Sequence, residues 1–175
     1  PFRKPTSGCV SIREIRQTAV QEAQQLRKAG FDALLLENMH DVPYLKKMAG
    51  PEIIAGMSSV ALSVREAVDC PIGVQILAGA NREALAAAQA AGAQFIRAEG
   101  FVFAHVADEG FLESDAGELL RYRRMIGAED IRIFADIKKK HSSHAITSDV
   151  NLEATARSAE FFGADALVIT GFATG

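Results

Sequence analysis

The sequence predicts an α/β fold made of about five strand-helix units of a (β/α)8 TIM barrel, a barrel present only in part. Three observations lead there. Short apolar runs alternate with amphipathic helical patterns along the chain, a glycine-centred joint recurs before three of those runs, and the runs end in polar residues at alternate positions. Alternating strands and helices dictate a parallel sheet with right-handed crossovers, which is either a barrel or an open doubly wound sheet. An open sheet gathers its ligand contacts at one switch point, whereas a barrel draws them from many strand ends around one mouth. Here the polar ends are spread evenly over Glu37, Gln75, Arg97 with Glu99, Asp136 with Lys138, and Thr170, and no G-x-G-x-x-G follows any strand, which favours the barrel.

The first unit opens on Ser11-Ile12-Arg13-Glu14, a capping-box pattern, after which Ile12, Ile15, Ala19, Ala23 and Leu26 recur at helical spacing up to Gly30. Asp32–Glu37 follows as a nearly all-apolar run, as a parallel strand covered on both faces requires. Pro51 suits the first turn of a second helix striped by Ile54, Met57, Val60, Ala61, Val64 and Val68, and Ile72–Leu77 reads as the second strand. Asn81 is placed to cap a third, Ala-rich helix, Glu83–Ala91, stopped by Gly92, with Phe95–Glu99 as the third strand.

A long loop, Gly100–Ser114, leads to an Asp115-Ala116-Gly117-Glu118 cap and a fourth helix ending at Gly127. Ile131–Ile137 is then the fourth strand, Lys138–Asp149 a polar loop, Leu152–Phe162 the fifth helix and Ala166–Thr170 the fifth strand. The joints Ala29–Ala33, Ala91–Phe95 and Phe162–Ala166 repeat one helix-to-strand turn.

Composition bounds the function. The 175 residues form one domain-length unit, residues 1–175, with 49% hydrophobic and 23% charged residues, as in globular proteins. A net charge of −3 and no basic tract beyond Lys138-Lys139-Lys140 argue against a nucleic-acid or anionic-membrane surface and for a small-molecule or protein partner. Cys9 and Cys70 stand in no metal or redox spacing and are read as reduced. No apolar run reaches membrane-span length and Pro1–Lys4 carries no signal-like stretch, so the expected location is the cytoplasm or, with a targeting segment, an organelle matrix.

Residues two apart on a strand share a side, so Arg97 with Glu99 and Asp136 with Lys138 are expected to bring four charges together on the lumen side. Charges at a barrel mouth are costly unless paired with each other or with a ligand, and such places shift pKa values enough for acid-base work. The alternative is a structural salt-bridge network. Asp136–His144 is the densest polar stretch: lysine can bind phosphate or form a Schiff base, and Asp136 with His141 or His144 can ligate a divalent metal, though the spacing is diagnostic of neither. For Lys139 and His144 the competing reading is a solvated loop.

Glu37, Asn38, His40 and Asp41 supply polar groups after the first strand, with Asp41 equally suited to stabilising the turn before Pro43. His105, Asp108 and Glu109 sit where a lid or subunit contact would be. Thr170-Gly171 through Gly175 offers backbone amides to an anion, or simply a tight turn. Walker, G-x-S-x-G, H-E-x-x-H and paired C-x-x-C motifs do not occur.

Glu37-Asn38 with Asp41-Val42-Pro43, Phe95-Ile96-Arg97, Leu120-Arg121-Tyr122-Arg123, Ala135 through His141, and Thr170-Gly171 through Thr174-Gly175 stand in order along nearly the whole chain and together resemble the BtpA family. The resemblance implies a barrel of the ribulose-phosphate-binding type, in a family named for a factor that supports photosystem I biogenesis and that has non-photosynthetic members. It brings no firmly attached reaction. Where many relatives continue Phe-Ile-Arg with Val-Asn, Ala98-Glu99-Gly100 stand here, which puts an amide role at Glu99 in doubt.

On this reading a first strand and the last units of the barrel lie outside the chain, and the phosphate-binding loops of such barrels come from those last units. Five units leave two strand edges and an apolar lumen open, to be covered by a longer chain or by a homo-oligomer. Two functions follow as expectations. In one, a small phosphorylated or carboxylated metabolite undergoes lyase- or isomerase-like chemistry, with Asp136, Lys138 and Glu37 catalytic and Asn38, Asp41, Gln75, Arg97, Glu99, His141, Thr170 and Gly171 binding. The other is a non-catalytic assembly factor that binds a protein partner.

Overall fold

The structure, a computed structural model, describes residues 10–171; Cys9 and the 172–175 part of the glycine-bearing terminus lie outside the described residues. In chain order the elements are α1 Ile12–Lys28, β1 Leu34–Glu37, α2 Pro51–Ala67, β2 Ile72–Gln75, α3 Asn81–Ala91, β3 Phe95–Ala98, β4 His105–Ala107, β5 Gly110–Leu112, α4 Ala116–Met125, β6 Arg132–Asp136, β7 Ser142–Ser143, α5 Leu152–Phe161 and β8 Ala166–Val168. A 3-10 turn spans Ala145–Thr147.

The helix ends largely follow local chemistry. Both halves of the capping box on α1 form: the Glu14 amide donates to Ser11 Oγ and the Ser11 amide to the Glu14 carboxylate. Pro51 occupies the first turn of α2, and Asn151 caps α5 by accepting from the Ala154 amide at 2.8 Å. Two predicted caps do not form. Asn81 is the first residue of α3 and Asp115 precedes α4, yet neither side chain caps; they bond to each other, Asn81 Nδ2 lying 2.9 Å from Asp115 Oδ2. Tertiary partners have claimed both side chains.

Each recurrent joint turns on a glycine in the left-handed region, Gly30, Gly92 and Gly163, where a side chain would be strained. The residue just before the strand then sets the register. Gln94 Oε1 accepts from the Ile72 amide at 2.9 Å, and Asp165 Oδ2, at the equivalent place, accepts from the Ile133 amide at 2.8 Å. At these two joints the repeat seen in the sequence ties the start of a strand to its neighbour.

Strands β1-β2-β3-β6-β8 form one parallel sheet in that order, so successive strands are neighbours and the order never reverses. With right-handed crossovers such an order puts the helices on one face, and α1 packs on α2, α2 on α3 and α3 on α4. The result is an α/β fold with a parallel central sheet and, among the described residues, five α-helices, an arrangement consistent with a partial barrel.

Alternation divides the strands. Ile72, Val74, Ile96, Ile133 and Ala135 are fully buried in the core with Ala84, Leu85, Ala88 and Leu119. Leu35, Gly73, Phe95 and Phe134 face the other way. The rings of Phe95 and Phe134 stack at 4.6 Å, and Gly73 makes room for them, since a Cβ there would lie 2.1 Å from the Phe95 ring. Past β8, Ile169 is exposed, as is Leu167 within it. Among the described residues no helix is long and apolar enough to cross a membrane.

The two long loops are not irregular, as the sequence suggested. The loop after β3 folds as the hairpin β4-β5, and β7, from the loop after β6, pairs antiparallel with β4. This small sheet ties two strand-end loops together. Period-2 patterning cannot announce strands so short, because they are stabilised only by pairing with one another.

Candidate functional site

The residues at the C-terminal strand ends converge around Arg97. Its Nε lies 3.1 Å from Asp136 Oδ2 and its Nη1 3.2 Å from Glu37 Oε1, so one guanidinium from β3 joins carboxylates from β1 and β6 across the face of β2. Gln75 occupies the gap, level with Glu37 in the ladder. The expected meeting of Arg97 with Asp136 therefore occurs, with Glu37 joining it. Burial of the Asp136 side chain, only 1% exposed, pushes its pKa up to about 6, outweighing the opposing pull of Arg97, and the charge of Glu99 adds to the rise.

The expected partnership of Lys138 and Glu99 with this group is corrected. Strand β6 ends at Asp136, and Lys138 adopts a left-handed backbone, φ 48°, which breaks the alternation assumed from sequence. Lys138 Nζ donates to the Thr147 carbonyl at 3.0 Å, and among the described residues no carboxylate pairs with it. Glu99 lies beyond β3 and pairs instead with Lys139, whose Nζ is 3.0 Å from Glu99 Oε1 with both side chains largely buried. Lys139, expected in a solvated loop, belongs to the cluster; the turn at Lys138 is what aims it inward.

Behind this pair lie two imidazoles that sequence reasoning undervalued. His144 Nε2 is 3.1 Å from the Lys139 carbonyl, and the His105 and His144 rings are 5.5 Å apart. His105 is buried, and burial, with the charges of Lys139 and His144 adding to it, lowers its pKa to about 4, so it is neutral at pH 7. A narrow crevice of about 10 Å³, about one water in size, is lined by Gly100, His105, Asp136, Lys138, Lys139 and His144.

The remaining expected residues divide. Asn38 is buried and joins two strand-end loops, accepting from the Leu77 amide at 2.7 Å and donating to Asp41 Oδ2 at 3.3 Å, while the Asp41 amide returns to the Asn38 carbonyl. Asn38 and Asp41 thus shape the turn before Pro43. Thr170 Oγ1 accepts from the Lys140 amide at 2.8 Å and anchors the loop after β6. His40, His141 and Gly171 are exposed. Among the described residues no group of three or more His, Cys, Asp or Glu side chains gathers in a metal-holding arrangement.

A second buried carboxylate supports the site from outside. Asp115 accepts from Asn81, which also donates to the Glu99 carbonyl at 2.7 Å and accepts from the Glu99 amide, and Lys47 Nζ approaches Asp115 at 3.9 Å. Burial raises the Asp115 pKa to about 6 against the pull of Lys47 and Asn81. Nothing in the sequence pairs Asn81, Glu99 and Asp115, which come from three separate segments of the chain.

A pH dependence follows. Asp136 and Asp115 both bind protons more tightly folded than unfolded, so the native state holds extra protons between about pH 4 and pH 6. Their contribution to stability is fully present below about pH 4 and is lost as pH rises through 6, by up to about 3 kcal/mol each. Urea denaturation over pH 4 to 7.5 should show this fall, and Asp136→Asn should remove about half of it. A profile that the substitution leaves unaltered would contradict the burial of that carboxylate.

Comparison with known proteins agrees with this layout. The model of the BtpA family matches residues 4–175. An uncharacterised mitochondrial protein of Caenorhabditis elegans is 48% identical over 97% of this chain and 63% of its own length. An uncharacterised protein of Archaeoglobus fulgidus is 39% identical over 90% of this chain and 61% of its own. The photosystem I biogenesis protein BtpA of Synechocystis is 32% identical over 94% of this chain and 57% of its own. The chain therefore spans about three fifths of the length of these curated relatives. A family match running through all five strand-end loops, on top of the motifs at Glu37, Arg97 and Asp136, makes this chain a member of the BtpA family.

Proposed function

We propose that the chain supplies most of the mouth of a (β/α)8 barrel of the ribulose-phosphate-binding type, which binds or converts a small phosphorylated or carboxylated metabolite in lyase- or isomerase-like chemistry. The observation that carries this reading is Asp136: a buried carboxyl whose protonation point of about 6 lies near neutrality, in a crevice that Lys138 also lines. A group poised so can give or take a proton at physiological pH. Lys138, held by a neutral carbonyl, keeps its charge for a ligand anion. Glu37 and Arg97 orient the Asp136 carboxyl, and Asn38, Asp41 and Thr170 hold the loops that frame it. The compartment proposed is the cytoplasm or an organelle matrix, the second option drawing on the worm relative's mitochondrial name.

Thermal unfolding of the full-length protein with inorganic phosphate and with small carboxylates tests this. A ligand at a hundredfold excess over its Kd stabilises by about 2.7 kcal/mol, and Lys138→Met should abolish the shift. If no phosphate or carboxylate stabilises the protein, or if the shift survives both Lys138→Met and Asp136→Asn, the reading is wrong. A second reading, an assembly factor that binds a protein, draws on the printed name of the Synechocystis relative. The exposed Met39, Leu45, Met48, Val106 and Phe111 of the strand-end loops would serve it.

A further inference from the structure

The small β4-β5-β7 sheet brings an imidazole to the buried carboxyl of Asp136. Strands β4 and β7 pair antiparallel with Val106 opposite Ser143 and Ala107 opposite Ser142, so one step further His105 stands opposite His144. Their rings are 5.5 Å apart, and both line the crevice that Asp136 lines from the end of β6. Loops that leave two neighbouring strands are thereby locked together over one carboxyl.

Most polar groups of the crevice wall have partners. Lys138 Nζ donates to the Thr147 carbonyl, Lys139 Nζ pairs with Glu99, and His144 Nε2 meets the Lys139 carbonyl. His105 Nε2 has no partner among the described residues, although it is sealed from solvent in a residue only 5% exposed. Cε1, bonded to Nε2 in that ring, faces Gly100, another residue of the wall: a Cβ there would lie 3.8 Å from it. The nitrogen therefore sits on the crevice edge of the ring.

A buried polar atom left unpaired is costly, and native structures satisfy such atoms with bound water where space and a second polar partner exist. Both are present here. The crevice, about 10 Å³, is about one water in size and far too small for a metabolite. The second partner is Asp136, since a carboxylate offers about four acceptor positions. Arg97 Nε, 3.2 and 3.1 Å from its two oxygens, brings a single N–H.

We propose that the crevice binds one water molecule, hydrogen-bonded to His105 Nε2 and donating to the Asp136 carboxylate, and that His105 is thereby the positioning residue for this carboxyl. This role rests on the reading of Asp136 as the proton-handling group and adds the residue that tunes its affinity for the proton. Burial raises the Asp136 pKa and Glu99 adds to the rise, whereas Arg97 and Lys139 pull it down. A water donating to the ionised form pulls the same way as those cations. Burial, with the charges of Lys139, His144 and Lys47, keeps His105 neutral, so it holds the water without competing for the proton.

Carbon-13 NMR titration of the aspartate carboxyls in the full-length protein tests this, with Asp136 assigned by the signal lost in Asp136→Asn. His105→Phe keeps a neutral ring and the surrounding charges but removes the nitrogen. The Asp136 midpoint should then rise by about one pH unit, the effect of losing one hydrogen bond to a charged group. His105→Gln, which returns a polar group near the place of Nε2, should restore the wild-type midpoint. Asp115, also near 6 but bonded to Asn81 away from the crevice, should stay in place in both variants. In the wild type, the His105 ring protons should show a nuclear Overhauser contact to a long-lived water, a measurement that decides the matter if His105→Phe does not fold. An Asp136 midpoint unmoved by His105→Phe, no recovery in His105→Gln, Asp115 moving together with Asp136, or no water contact each overturns the role of His105 and leaves the reading of Asp136 standing. A wild-type Asp136 midpoint at the ordinary carboxylate value of about 4 overturns both.

Discussion

Replacing Arg97 by Met should destabilise the protein by about 3 kcal/mol at pH 8, the low end of what breaking a buried ion pair costs. The low end applies because Arg97 and Glu37 each keep about a fifth of their exposure, 21% and 22%, whereas Asp136 keeps 1%. Without the guanidinium, two carboxylates would face one another with no cation between them, and the buried one has nowhere to relax. The Asp136 pKa, already about 6, should climb further. The loss should therefore shrink as pH falls and Asp136 takes up its proton, so that at pH 5 the variant is much closer to the wild type. Urea midpoints at the two pH values decide the matter: a deficit below about 1 kcal/mol at pH 8, or one that does not depend on pH, would mean the trio is a solvated network of little energetic weight. The double variant Arg97→Met/Asp136→Asn should recover part of the loss, as coupled neighbours do.

Phe101→Ala should cost about 3 to 5 kcal/mol, the range for emptying a large aromatic from a packed core. Phe101 is fully buried and stands at the start of the loop that carries the β4-β5 hairpin. Its carbonyl, two residues beyond Glu99, accepts from the Ala116 amide at the start of α4. The cavity would therefore loosen both the β4-β5 hairpin and the seat of Glu99. Hydrogen exchange should show protection lost first at His105–Leu112, ahead of the strands of the parallel sheet. Uniform loss across the sheet and the hairpin would argue that Phe101 is core alone and not the root of the loop.

Much of the fold was legible because its causes are local. Capping at Ser11, Pro51 at a first turn, glycines where the backbone turns left-handed and apolar runs where a strand is covered twice are each decided within a few residues. Strand ends came out shorter than predicted, Ile72–Gln75 rather than Ile72–Leu77, since pairing rather than apolar character ends a ladder. Asn81 and Asp115 misled for a related reason: their chemistry suits a cap, but partners distant in sequence were better placed.

By itself the sequence determined the order of strands and helices, the parallel sheet and the placing of Glu37, Arg97 and Asp136 at strand ends on one face, because side-chain alternation in a strand is a property of the backbone. Tertiary structure alone decided that Lys139 rather than Lys138 meets Glu99, that the His105 and His144 rings meet at a tilt behind them, and that two loops pair into a sheet. Those outcomes rest on a left-handed turn at Lys138 and on contacts between segments some forty residues apart, whose geometry no local pattern encodes.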